Sequence, residues 1–174
     1  SDPGNVAWML TASALVLLMT PGLAFFYGGL VRGKNVISTM MYSYVAMGVV
    51  SVLWVLWGYS LAFGAGGAFI GNFDFIGFRD VSAEGTDGGI SPMLFAIFQM
   101  MFAIITPALI TGAFAERFKF TTYIVFLFVW VTFVYVPVTH WVWAADGWIA
   151  GMGALDFAGG IVVHVTAGIA AIVA

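Results

Sequence analysis

The chain has 174 residues, 63% of them hydrophobic and only 7% charged, with a formal net charge of −3 and no cysteine. A soluble domain carries roughly a quarter charged residues, so this composition describes a polytopic membrane protein. It excludes disulfides, thiol catalysis and zinc–thiolate sites, and the absence of a basic run excludes nucleic acid as a partner.

Hydropathy divides the chain into five apolar segments, at about 6–31, 36–63, 92–115, 120–143 and 157–174. An all-helical bundle is expected, because helices satisfy every backbone polar group within the segment that crosses the bilayer. In the first segment, Pro21 removes a backbone donor mid-helix and is expected to kink it, and Gly28 and Gly29 permit close helix contact. Between the second and third segments lies a loop, 64–91, rich in glycine (Gly64, Gly66, Gly67, Gly71, Gly77, Gly85, Gly88, Gly89) and in acid (Asp74, Asp80, Glu84, Asp87). It reads as a flexible surface loop, or more sharply as an acidic vestibule that attracts cations. The third segment has its own proline, Pro107. At the end of the fourth, Tyr135, His140, Trp141, Trp143 and Trp148 form the pattern of an interfacial aromatic belt. The fifth segment is still apolar at Ala174, about 18 residues or roughly 27 Å of helix from its start, and a continuation beyond Ala174 is expected.

Orientation follows from the basic residues. Arg32 and Lys34 lie in the first loop and Arg117 and Lys119 in the third; the second has only Arg79, among acids, and the fourth has none. The excess of basic residues marks cytoplasmic loops, which puts loops one and three inside and the N-terminus outside.

Four places offer chemistry. His164 is an ionisable side chain inside an apolar segment, about 12 Å from Asp156 along a helix and so near mid-membrane. Such a group either hydrogen-bonds another helix or lines a pathway. Asp156, Gly160, His164 and Gly168 are spaced by four and form one stripe, with glycine on either side of the imidazole. Phe98 and Phe102 share a helix face and form either core or a hydrophobic constriction. Trp143 is either a lipid anchor or a cation–π partner for a small cation. Asp156 suits an N-cap, or a cation site at the mouth. No phosphate loop, nucleophile elbow or carboxylate pair is present, and the chain is expected not to be an enzyme. A membrane electron-transfer protein binding haem through His140 and His164 is the competing class; a retinal protein is disfavoured because the apolar segments hold no lysine for a Schiff base.

The run Asp156-Phe157-Ala158-Gly159-Gly160-Ile161-Val162-Val163-His164 closely resembles a signature of the ammonium transporter family, which includes methylamine permeases and the Rhesus glycoproteins. Pro21–Arg32, Phe98–Ala103, Gly112–Arg117 and Pro137–Trp143 resemble further family blocks, in order across the chain. The resemblance implies the first five-helix repeat of an eleven-helix inverted-repeat fold, assembled as a homotrimer in the plasma or inner membrane. It implies an ammonium or ammonia pore without cofactors, in which Trp143 and Phe102 recruit the cation, Phe98 and Phe102 are a stacked gate, His164 lines the pore and Asp156 supports the outer site. Methylammonium is a further implied substrate and a cytoplasmic regulatory protein an implied partner. The family also contains ammonium sensors, the alternative on the same fold. The second pore histidine is expected in the half that the chain does not cover.

Overall fold

A computed structural model describes residues 2–85 and 89–174; Asp87 and Gly88 of the glycine-rich loop lie outside the described residues. Its architecture is a helical bundle with no strand among the described residues. The first helix runs Pro3–Gly28, the second 36–63, the third Pro92–Phe114, the fourth 120–143 and the fifth Gly160–Val173, with a short helical turn at Trp148–Gly151. The first four are each long and apolar enough to cross a membrane.

Local chemistry fixes the helix starts. The Asp2 carboxylate accepts from the N–H groups of Gly4 (2.7 Å) and Asn5 (3.2 Å), and Pro3 takes the first helical position, where a missing N–H costs nothing. Ser91 and Pro92 repeat the device on the third helix, with Ser91 Oγ accepting from Leu94 N–H at 3.1 Å. Pro21 does not end the first helix, nor Pro107 the third; both helices continue through their prolines. Beside Pro107, the Thr106 hydroxyl donates to the Phe102 carbonyl at 2.6 Å.

Three helices contain a wider turn. Tyr59 N–H bonds to the Trp54 carbonyl, Val136 N–H to that of Val131, and Thr166 N–H to that of Ile161, all five residues back. Each π-turn inserts one residue and re-aims the side chains around it, a feature that recurs at functional sites. The first holds Trp54, fully buried, whose indole N–H reaches the Ala96 carbonyl at 3.1 Å. The second ends at Tyr135, two residues before Pro137. Tyr135 is 0% exposed and packs against Trp54 and Trp130, so it belongs to the core and not to an interfacial belt. The third holds His164.

At the basic end, side chains fasten loops to helices. Glu116 Oε1 accepts from Arg32 N–H (3.0 Å) and the Asn35 amide (2.8 Å), with Arg32 Nε 3.7 Å from Oε2, tying loop one to loop three. These donors hold the Glu116 carboxyl below its ordinary range, the Asn35 amide most and the Arg32 backbone N–H next. The Tyr42 hydroxyl donates to the Phe118 carbonyl at 2.6 Å. Tyr27 donates to the Leu109 carbonyl at 2.7 Å, lying where Gly112 leaves room: a Cβ there would stand 2.9 Å from the ring.

The start of the glycine-rich loop is attached to the bundle at the surface. Residues 64–71 are sewn to the end of the fourth helix. His140 is fully buried with Nδ1 2.9 Å from the Ala62 carbonyl and Nε2 2.6 Å from that of Gly67. The Trp141 indole donates to the Phe69 carbonyl at 2.7 Å, and Trp148 N–H to that of Ala68 at 3.1 Å. The glycines serve close approach: a Cβ at Gly66 or Gly71 would stand 2.5–2.6 Å from a neighbouring carbonyl oxygen.

Candidate functional site

The third helix presents Phe95, Phe98, Gln99 and Phe102 at spacings of three and four, which is one face of a helix. Across from them stand Trp143, the last residue of the fourth helix, and Asp156 and Phe157, which lead into the fifth. These seven side chains line a cavity of about 270 Å³.

Its aromatic wall is built edge to face. The Phe98 and Phe102 rings are 5.0 Å apart at 81°, and Phe102 and Trp143 are 5.8 Å apart at 73°. The Phe pair expected to stack meets edge to face: one ring turns its positive edge to the negative face of the other, a geometry ring quadrupoles prefer. Trp143 is fixed by one hydrogen bond, from its indole N–H to the Asp156 main-chain carbonyl at 2.9 Å.

Asp156 holds the turn that makes this possible. Its Oδ1 accepts from Gly160 N–H at 2.7 Å, and its Oδ2 from Ile161 at 2.9 Å and Val162 at 3.0 Å. Three free donors at the helix start are thereby satisfied, and the negative charge sits at the positive end of the helix dipole. Of the two readings left open for Asp156, the geometry is that of the cap. Gly159, between cap and helix, has φ +81°, and a Cβ there would also stand 2.6 Å from Val163 Cγ2. Only glycine meets both conditions without strain.

His164 is not in the cavity. It sits in the π-turn of the fifth helix on an exposed face with Gly160 and Gly168, and its ring has no polar partner among the described residues. Ile169, Ile172 and Val173 continue the exposed apolar surface of this helix. His140 does not join His164 as a ligand pair. Both its ring nitrogens lie against carbonyls, with Asp146 Oδ1 3.8 Å from Nε2, so neither is open to a haem iron. No cluster of metal-binding side chains occurs among the described residues.

Phe95, Gln99 and Phe157 were not singled out from sequence. Phe95 and Gln99 were reachable by extending the Phe98/Phe102 face one turn up and one residue along. Phe157, 90% exposed, gave no signal beyond its place beside Asp156. Gln99 is 9% exposed, and its Oε1 has no hydrogen-bond partner among the described residues.

The ammonium transporter family model matches residues 7–174. The chain belongs to this family. It is 49% identical over 172 residues to an ammonium transporter of Bacillus subtilis, covering 98% of this chain and 42% of that protein. An ammonium transporter of Aquifex aeolicus is 50% identical over 175 residues, covering 99% and 41%. The crystal structure of Saccharomyces cerevisiae Mep2 superposes with a TM-score of 0.90 at 43% identity, covering 99% of this chain and 39% of that one. A sensor Amt protein superposes with 0.83 at 30%, covering 92% and 40%. The chain therefore spans about two-fifths of the length of these relatives. It is a multi-pass membrane protein of the ammonium transporter fold.

Proposed function

We propose that this chain forms one wall of a pathway that moves ammonium, or ammonia derived from it, across a cell membrane. The observation that carries the reading is the cavity, in which the Trp143 and Phe102 rings stand together above Phe98 with Asp156 behind them. A small cation entering it meets aromatic faces, an attraction worth about 0.5–2 kcal/mol. Below it, Phe98 is an apolar constriction that a hydrated ion crosses only at high cost, whereas neutral ammonia crosses cheaply. Beyond the constriction, the imidazole of His164 offers its two ring nitrogens to the solute. The basic loops place the Glu116 end in the cytoplasm and the cavity outside.

Transport is preferred to sensing because the relatives at 49–50% identity are named transporters, whereas the sensor structure stands at 30%. Methylammonium is a second substrate on the same chemistry. A homotrimer and a cytoplasmic regulatory partner belong to the reading through the family only.

The test is ammonium flux in liposomes containing the full-length protein. Replacing Trp143 by Leu is expected to raise the half-saturation concentration about two- to thirtyfold, the loss of one cation–π contact. An unchanged half-saturation would show that the cavity is not where the cation is first held.

A further inference from the structure

The cavity has a polar side chain that the recruitment role of its aromatic residues leaves unexplained. Gln99 is 9% exposed and lies in the cavity wall between Phe98 and Phe102. A buried amide with an unpartnered oxygen costs free energy, so its presence calls for a donor. None of the other lining groups supplies one. The Trp143 indole N–H is already given to the Asp156 carbonyl, and the remaining neighbours in the wall are phenylalanines.

The cation has the converse need. Ammonium carries four N–H donors, and the aromatic faces that attract its charge replace the hydrogen bonds it leaves in water only weakly. Both carboxylate oxygens of Asp156 are engaged by helix N–H groups. Gln99 is therefore the one side-chain acceptor of the cavity that no donor among the described residues occupies. The amide oxygen itself is buried, so it reaches the cavity by a half-turn about the last bond, which exchanges oxygen and nitrogen at nearly constant shape.

We infer that Gln99 is a further ligand of the outer cation site, its amide oxygen accepting one N–H of the bound ion. This rests on the reading of the cavity as that site. It makes the site selective for cations that bear N–H groups: rings alone hold any small cation, whereas the acceptor rewards ammonium and methylammonium, each of which can turn an N–H toward it.

The experiment measures ammonium and methylammonium transport by the full-length protein in liposomes, comparing Gln99→Met, Gln99→Glu and Trp143→Leu. Met keeps the length of the side chain and removes the acceptor. Glu keeps the acceptor. Gln99→Met is expected to raise half-saturation for both substrates about tenfold or more, as for losing a hydrogen bond to a charged group. Gln99→Glu is expected to hold it within about twofold or lower it. If Met and Glu raise it equally, the side chain acts by shape and the assignment is overturned. If Trp143→Leu raises half-saturation and Gln99→Met does not, the cavity is the cation site and Gln99 is no part of it. If neither changes it, the reading of the cavity itself fails. Where Gln99→Met does not assemble, as judged by its thermal midpoint in detergent, Gln99→Leu is read by the same outcomes.

Discussion

The cavity at Trp143 and the helix that carries His164 are joined by a single turn at Asp156, yet they are finished to different degrees. Around the cavity, the main supports come from within the chain: the Trp143 indole is held by the Asp156 carbonyl, the Asp156 carboxylate by three backbone N–H groups, the Phe98 and Phe102 rings by one another. On the fifth helix, His164, Gly160 and Gly168 face outward, and no polar group among the described residues orients the imidazole. The first region can be disabled by disturbing its own supports. The second contributes a face, and its stability should hardly depend on what that face bears.

The largest expected effect follows from removing the joint. Asp156→Ala deprives three N–H groups of their acceptor and frees the carbonyl that holds Trp143. The cap alone is worth about 0.5–2 kcal/mol, so the thermal midpoint in detergent should fall, and ammonium flux should fall with it. Retention of both would mean that the cap neither starts the fifth helix nor positions the indole. Gly159→Ala should act through the same turn. An L-residue at φ +81° costs roughly 1–2 kcal/mol, with the contact to Val163 added. A midpoint equal to that of the parent protein would show that the turn tolerates a side chain.

His164→Ala is the contrasting change. With no partner to lose, it should shift the midpoint by less than about 0.5 kcal/mol equivalent, while flux or the ratio of ammonium to methylammonium transport changes. If flux and selectivity are both unaltered, His164 does not line the pathway. If the midpoint drops as far as in Asp156→Ala, the histidine is a packing residue.

The same contrast explains what could be read from sequence. Apolar runs of twenty or more residues become helices because the bilayer leaves the backbone no other way to satisfy itself. The Asp156 cap was legible because a carboxylate before a glycine-started apolar run has few other local uses. Sequence spacing placed Phe98 and Phe102 on one face, but not their 81° angle, which is set by Trp143 arriving from another helix. Glycine abundance in 64–71 hid its attachment to the bundle. The signal of that attachment was nearby, in His140 and Trp141, two ring systems whose N–H groups needed carbonyls to reach. The π-turns at Trp54, Val131 and Gly160 leave no mark in hydropathy, because one inserted residue shifts a face without changing its composition. Gln99 was hidden by its neighbours: in the run Phe98-Gln99-Met100, a single amide reads as incidental until its burial is known.

The smallest expected effect lies farthest from both regions. At the basic end, the Asn35 amide and the Arg32 N–H hold the Glu116 carboxyl below the ordinary value of 4.5. A group depressed in the folded state adds stability that is present above the unfolded value and lost as pH falls through the folded one. Glu116→Gln should therefore lower the midpoint slightly at pH 7, and the gap to the parent protein should close as pH drops below about 4.5. Because the bonds are exposed, screening limits their worth, and added salt should narrow the same gap at neutral pH. Transport should be unaffected, since loops one and three contribute no side chain to the cavity. A gap that widens on acidification would mean that Glu116 is held by protonated groups other than the Asn35 and Arg32 donors seen here.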